Sequence, residues 1–78
     1  MDDFGEALGE AIRNRRKELE LSQEALGFKA GYHFTYISQV ERGVKSPTVR
    51  TLNILAEALE IRISELILQA ENIYFLDA

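Results

Sequence analysis

Cysteine is absent from this chain of 78 residues, and histidine and proline occur only once each. Without cysteine the protein has no disulfide, no thiolate nucleophile and no zinc finger. A single histidine, His33, provides no cluster of metal-ligating side chains, so no metal site and no cofactor are predicted. The sequence also lacks a nucleophile next to a base and a phosphate-binding loop. We therefore predict that the chain is not an enzyme.

Long hydrophobic runs are absent as well. No apolar stretch approaches the roughly 18 residues of a membrane span, and the first ten residues are acidic where a secretory signal would be basic. We therefore expect a cytoplasmic protein without a membrane partner. A chain of this length buries only a small core, so we expect one domain of marginal stability with a surface for a partner.

The net charge of −4 argues against nucleic acid as a partner, but the charges are unevenly distributed. From Ile12 to Arg50 there are eight basic and four acidic residues, a balance of +4, whereas each flank carries −4. A molecule of this kind can place its basic centre on phosphate while its acidic flanks stay in solvent.

Apolar residues at helical spacing predict five helices and no clear strand. Only Ile73 to Leu76 carries a weak strand signal. Ser22 is a candidate cap for helix 2, and Ser46 with Pro47 marks the start of helix 4. The predicted limits are about Gly5–Glu20, Gln23–Ala30, Phe34–Arg42, Pro47–Leu59 and Ser64–Ala70.

The segment from Ser22 to Gly43, SQEALGFKAGYHFTYISQVERG, predicts two short helices held at a fixed angle. Gly31 falls where the turn between the helices needs a positive φ, and Gly27 lacks the Cβ that would keep the helices apart. Small or apolar residues complete the core of this unit at Leu26, Ala30, Tyr32, Ile37 and Val40.

Four segments, IRNRRKELELSQEAL, TYISQVERG, SPTVRTL and LAEALEIRISELI, resemble the Cro/repressor-like (Xre-type) helix-turn-helix family, from about Leu8 to Leu68. This resemblance implies an all-α, five-helix repressor-like DNA-binding domain whose helix-turn-helix is formed by helices 2 and 3. Within the family, the region after His33 looks most like the controller proteins of restriction-modification systems. Those proteins usually carry Arg at the position of Phe34 and a different linker near Lys45.

In a helix-turn-helix protein the outward residues of the third helix reach base edges in the major groove. Gln39 can pair with adenine, Thr35 can contact a base or a thymine methyl, and Phe34 can make only apolar contact. Because Phe34 replaces an Arg that could contact guanine, we expect a preferred site richer in A·T than that of a protein with Arg at this position. The candidate base contacts are His33, Phe34, Thr35, Ser38 and Gln39.

A second set of residues is expected to contact phosphates and so to determine affinity more than sequence preference. The resemblance assigns Gln23, at the start of helix 2, to a phosphate. Tyr36 has two interpretations, a phosphate contact or a side chain that packs the turn. The full set is Gln23, Lys29, Tyr36, Arg42, Lys45 and Arg50. The resemblance also implies a structural salt bridge between Arg16 and Glu41 that orients the recognition helix.

The C-terminal third carries more apolar residues than five small helices can bury. We expect residues 1–70 to form the DNA-binding domain, with a dimerisation surface on helix 5, and residues 71–78 to form a tail that is a candidate part of that surface. The alternative is that the tail folds back over its own core. The predicted interface residues are Ile63, Leu66, Ile67, Ile73, Tyr74, Phe75 and Leu76.

These observations predict a homodimeric, sequence-specific regulator of transcription that binds a pseudo-palindromic operator in double-stranded DNA. The autoregulatory controller of a restriction-modification system is one form, with RNA polymerase as a further candidate partner. A phage-type repressor or an antitoxin component is an alternative. A different class, a protein-interaction module that keeps the fold without binding DNA, would use Phe34 on an exposed surface.

Overall fold

The computed structural model describes residues 3–76, and over this range the chain forms five α-helices and no strand. The predicted all-α, five-helix fold is confirmed. None of these helices is long and apolar enough to cross a membrane. The helices are α1 (Phe4–Glu18), α2 (Gln23–Ala30), α3 (Phe34–Glu41), α4 (Val49–Ala58) and α5 (Ile63–Leu76).

The start of α2 agrees with the prediction, whereas the start of α4 does not. Ser22 caps α2, because its Oγ accepts the Ala25 N–H at 2.9 Å. The predicted cap of α4, Ser46, is wrong: Thr48 is the cap, and its Oγ1 accepts the Thr51 N–H at 3.1 Å. Pro47 lies in the loop before this cap, where its missing N–H leaves no helical hydrogen bond unmade.

Helices α1 to α4 are each followed by one residue with left-handed backbone. The residues are Gly31 and Gly43 after α2 and α3, and Glu20 and Glu60 after α1 and α4. After α1, for example, the Leu21 N–H donates to the Arg16 carbonyl at 3.0 Å. This bond gives a hydrogen-bond partner to a carbonyl in the last turn of the helix. Glu20, predicted as the last residue of helix 1, therefore lies just beyond it.

All five helices contribute to the core, including α2 with the fully buried Leu26. Ile37 of α3 is buried, as predicted, and so is Ile12 of α1. The inner face of α4 is also buried, at Leu52, Leu55, Ala56 and Leu59. This packing leaves α2 and α3 in a fixed position on one side of the molecule.

Helix α5 is longer than predicted, since it continues past Ala70 to Leu76. The expected boundary at residue 70 therefore falls inside a helix, and the strand signal at its end is wrong. No glycine or proline interrupts this segment, and Leu66, Ala70 and Ile73 form one stripe against the core. Residues 77 and 78 of the predicted tail lie outside the described range.

The longer helix changes the set of residues available to a partner. Leu66 is wrong as an interface residue, because its side chain is fully buried within the chain itself. Three further predicted interface residues, Ile63, Ile67 and Ile73, are half-buried and pack against the core. Tyr74 contacts Phe4 edge to face, with ring centroids 5.7 Å apart. The exposed apolar residues of α5 are Leu68, Phe75 and Leu76, together with part of Tyr74.

Candidate nucleic-acid interface

The turn between α2 and α3 depends on two glycines. Gly31 has φ +81° and follows α2 directly, which confirms the predicted left-handed turn. The N–H groups of Gly31 and Tyr32 both donate to the Gly27 carbonyl at 2.8 Å. A Cβ on Gly27 would lie 2.4 Å from the Tyr32 carbonyl oxygen, so a side chain there would push the turn away. Both glycines therefore set the angle between α2 and α3.

Helix α3 presents one face to the core and the other to solvent. Ile37 and Val40 are buried, as predicted for this helix. The five residues predicted to contact bases all have solvent access on the other side: His33, Phe34 and Thr35 are exposed, and Ser38 and Gln39 are half-buried. The structure therefore brings these candidates together along one side of α3.

His33 has a structural role that the sequence analysis did not identify. It is the N-cap of α3, and its Nδ1 accepts the Thr35 N–H at 3.1 Å. Its ring also stacks on the Phe34 ring, with centroids 4.6 Å apart. Its place directly before the helix was the available signal, although Ser, Thr, Asp and Asn are the usual caps. With Nδ1 accepting, the neutral ring carries its proton on Nε2.

Tyr36 combines the two interpretations given above. Its ring stacks on Tyr32, with centroids 5.1 Å apart, and so packs the turn. The Tyr32 hydroxyl in turn lies 2.9 Å from the Thr51 Oγ1 of α4. Burial raises the pKa of Tyr36 above its ordinary value of 10.0, and the neighbouring Tyr32 adds to this rise. The Tyr36 hydroxyl therefore keeps its proton at neutral pH and can donate it to an acceptor.

The Glu41 carboxylate joins α1, α2 and α3. It accepts from Arg16 at two points, with Nε to Oε2 at 2.6 Å and Nη2 to Oε1 at 3.0 Å. The Gln23 Nε2 donates to the same Oε1 at 3.0 Å, and the Arg13 Nε lies 3.8 Å away. The Glu41 side chain is completely buried. Because a buried charge must be paired, this cluster holds the end of α3 against α1 and the start of α2.

Gln23, the predicted phosphate contact, is therefore already engaged by Glu41. Its amide nitrogen has a second hydrogen that this contact does not use, and that hydrogen is available to another acceptor. Gln23 is the first residue of α2, and its hydrogen bond to Glu41 fixes the position of its side chain. The N-terminus of a helix favours an anion, so the orientation of Gln23 is compatible with a phosphate.

The basic residues of the central segment fall into two groups. Arg42, Lys45 and Arg50 are exposed at the end of α3, in the following loop and in the first turn of α4. Lys29 instead pairs with Glu60 at 3.4 Å, so the structure does not group it with those three. Arg15 is also occupied, because its Nε donates to the Leu59 carbonyl at 2.9 Å and caps α4. Fewer positive charges are thus free for phosphate than the sequence count suggests.

An aromatic surface that the sequence analysis did not single out lies beside α3. Phe28 of α2 is 90% exposed and lines a shallow depression with Phe34, His33 and Glu24. The spacing of apolar residues did not indicate that Phe28 is exposed, because α2 has no strongly apolar face.

Within residues 3–76 no group of three or more His, Cys, Asp or Glu side chains could hold a metal ion.

The sequence of this chain matches a known protein family and its members. The helix-turn-helix family profile HTH_3 matches residues 12–66. The control protein C.SmaI of Serratia marcescens is 43% identical over 65 residues, which span 83% of this chain and 77% of that protein.

Solved structures agree with this relationship. The restriction-modification controller protein C.AhdI from Aeromonas hydrophila superposes with a TM-score of 0.76 at 36% identity, covering 78% of this chain and 92% of that one. The P22 c2 repressor, in complex with a synthetic operator, gives a TM-score of 0.71 at 41% identity and covers 76% of this chain and 89% of that one. The repressor protein C2 belongs to Salmonella phage P22.

Proposed function

The chain belongs to the helix-turn-helix family of transcriptional regulators, and from this membership we propose that it acts as a homodimer on a pseudo-palindromic operator and regulates its own synthesis. The chemistry is non-covalent binding to double-stranded DNA in the cytoplasm, with no enzyme activity. The observation that carries the proposal is the exposed side of α3, which is held rigidly by the buried Arg16–Glu41 pair.

Base reading is assigned to the exposed side of α3. The Gln39 amide offers a donor and an acceptor that match the edge of adenine, and the Thr35 hydroxyl and methyl suit a base and a thymine methyl. Phe34 has no polar atom on its side chain, so it can contribute only apolar contact. His33 presents the Nε2–H of its neutral ring, because its Nδ1 accepts the Thr35 N–H. Ser38 completes the set.

Phosphate binding is assigned to residues on both sides of α3. Gln23 lies at the N-terminus of α2, and Arg42, Lys45 and Arg50 are exposed at the end of α3, in the loop and in the first turn of α4, from where we expect them to contact the backbone on the other side of α3. The protonated Tyr36 hydroxyl is a further donor. Lys29 is a weaker member, since its charge is shared with Glu60. Contacts on both sides would position α3 in the groove without reading sequence themselves.

The dimer is assigned to α5, whose outer face carries exposed apolar side chains on a chain with a small core. Phe75, Leu76 and part of Tyr74 remain available from the predicted interface, and Leu68 joins them. A two-fold dimer would place two α3 helices on one side of the duplex, about 34 Å or one turn apart.

The controller of a restriction-modification system is the form we favour, because C.SmaI is a control protein and C.AhdI is a restriction-modification controller protein. Occupancy of one site could then recruit RNA polymerase, and occupancy of a second could block it. A phage-type repressor or an antitoxin component is the alternative. The neighbouring genes distinguish these forms: a methyltransferase or endonuclease gene supports the controller, and a toxin gene supports the antitoxin.

Fluorescence anisotropy with the DNA upstream of the protein's own gene tests the proposal directly. A random duplex of equal length is the control, and both are titrated over a series of salt concentrations. We expect the upstream DNA to bind about 10³-fold more tightly or better, with a steep loss of affinity as salt rises.

Equal and weak binding to both duplexes would refute the proposal. The exposed Phe28 and Phe34 would then favour a second function, in which this surface binds a protein and DNA binding has been lost. Under the proposed function Phe28→Ser should leave DNA affinity unchanged, because Phe28 lies on α2 and α3 reads the operator.

A further inference from the structure

Helix α5 exposes an apolar patch with an amide at its centre. Leu68, Phe75 and Leu76 are 54%, 67% and 82% exposed. On an α-helix, residues three and four apart are neighbours on the surface. Asn72 is four residues after Leu68, three before Phe75 and four before Leu76, and it is exposed as well. These four residues form one continuous surface, which we call the α5 patch.

The α5 patch is complementary to a second copy of itself. Leu68 and Leu76 lie at equal distances along the chain on either side of Asn72. If two α5 helices pair antiparallel about a two-fold axis at Asn72, each residue before Asn72 meets the residue the same number of positions after Asn72 in the partner. Leu68 would then face the partner's Leu76, and Leu76 would face the partner's Leu68.

The position of Asn72 on that axis also suits its chemistry. A side-chain amide has both a donor and an acceptor, so two copies related by a two-fold axis can hydrogen-bond to each other. A buried amide without a partner is unfavourable, whereas the paired arrangement satisfies both copies. A single buried Asn among apolar residues is a known means of fixing the register of two helices.

We propose that Asn72 pairs with its own copy at the centre of an antiparallel α5–α5 interface and so sets the register of the dimer. The inference rests on the proposed homodimer but goes beyond it, because it names the contacts and the orientation. An antiparallel pair centred two residues away from Asn72 would place each amide against a leucine of the partner. A parallel pair would also place Asn72 against its copy, but it would set Leu68 against Leu68 instead of against Leu76. The same interface covers the apolar side chains that α5 otherwise leaves in water.

Cysteine cross-linking tests the register, since the chain has no cysteine of its own. Three variants are made: Asn72→Cys, Leu68→Cys and Leu76→Cys. We expect Asn72→Cys to form a disulfide with its own copy under mild oxidation. Leu68→Cys should cross-link poorly alone but readily when mixed with Leu76→Cys, because two copies of residue 68 would lie about 12 Å apart along the helices.

A charge variant provides an independent readout. Asn72→Asp places two carboxylates against each other at neutral pH, and we expect the dimer dissociation constant measured by sedimentation to rise at least tenfold. The matched control is Asn53→Asp, which makes the same change at an exposed position of α4 outside the α5 patch. Circular dichroism on both variants checks that the fold is retained.

The outcomes separate this inference from the proposed function. A dimer in which Leu68→Cys cross-links to itself as fast as to Leu76→Cys would overturn the register and leave the homodimer standing. A dimer equally sensitive to Asn72→Asp and Asn53→Asp would overturn the role of Asn72. A chain that sediments as a monomer at all concentrations would remove both the inference and the homodimer.

Discussion

Arg16 of α1 and Glu41 of α3 form a two-point ion pair in the interior, with heavy-atom distances of 2.6 Å and 3.0 Å. The two residues are 25 positions apart in the sequence, and each makes one further hydrogen bond. Arg16 Nη1 donates to the Leu21 carbonyl at 2.8 Å, and Gln23 donates to Glu41 at 3.0 Å. One carboxylate thus connects the recognition helix to the residue proposed to contact phosphate.

Glu41→Gln should strongly destabilise the fold. The substitution keeps the shape of the side chain but leaves the buried Arg16 without its counter-charge, which costs about 3–5 kcal/mol. That is a large part of the total stability of a domain this small. Urea unfolding measures the loss, with Glu24→Gln at an exposed position of α2 as the control. A loss for Glu41→Gln as small as that of the control would show that the pair does not hold α3.

Gly9→Ala should destabilise the contact between α1 and α3. A Cβ at Gly9 would lie 2.4 Å from the Glu41 carbonyl oxygen, a backbone atom that can move only with its helix. We expect a loss of about 1–3 kcal/mol, although alanine is the better helix former. Gly5→Ala is the matched control, since the nearest atom to its Cβ would be an oxygen of the Asp3 carboxylate, at 3.3 Å. Equal melting temperatures for the two variants would contradict the close approach at Gly9.

Glu20→Gly should stabilise the protein. Glu20 has φ +58°, a conformation that is strained for any residue with a Cβ. Glycine removes that strain but also gains freedom in the unfolded chain, so we expect a net gain of about 0.5–1 kcal/mol. The control is Glu10→Gly, an exposed position inside α1, where the same change should cost about 1 kcal/mol. Destabilisation by both variants would contradict the prediction.

Tyr36 should make the fold sensitive to alkaline pH. Its pKa is raised above 10.0 by burial, so the folded state favours the protonated hydroxyl. The stability from this group is present below pH 10 and is lost as pH rises through the folded pKa. Tyr36→Phe cannot ionise, and its unfolding free energy should fall less between pH 9 and 11, about one unit on either side of the ordinary tyrosine pKa. Parallel curves for the two proteins would show that Tyr36 does not contribute.

The sequence predicted those parts of the fold that depend on near neighbours. The turn between α2 and α3 follows from Gly31 and from the cap at Ser22, both of which act within a few residues. The start of α4 was harder, because Ser46 and Thr48 are both good caps. The hydrogen bonds of Thr48 to the N–H and hydroxyl of Thr51 accompany the later start, and spacing does not reveal them.

Contacts between residues far apart in the chain cannot be predicted from a single sequence. Nothing near Gly9 indicates that its missing Cβ accommodates the end of α3, and nothing near Arg15 indicates that it caps α4. The Arg16–Glu41 pair was expected only because of the family resemblance. The sequence predicts too short an α5, because its apolar residues after Ala70 suit a strand as well as a helix. In the structure this segment is helical, and its Tyr74 packs against Phe4 of α1.

Gln39 and Arg42 should affect DNA binding in different ways. Gln39→Ala removes a proposed base contact, so we expect a loss of about 1–3 kcal/mol on the preferred site and relaxed discrimination at one base pair. Arg42→Ala removes a proposed phosphate contact, so affinity should fall on all duplexes, and the slope of log affinity against log salt should become shallower by about 0.9. Anisotropy on the upstream DNA and on single-substitution duplexes measures both effects.

Arg62→Ala is the control for this comparison, because Arg62 is exposed between α4 and α5, outside the proposed interface. Its removal should change the salt slope little. If it lowers the slope as much as Arg42→Ala does, binding reflects general charge attraction instead of a defined phosphate contact. If Gln39→Ala weakens all duplexes equally, Gln39 does not read a base, and sequence preference must come from other residues of α3.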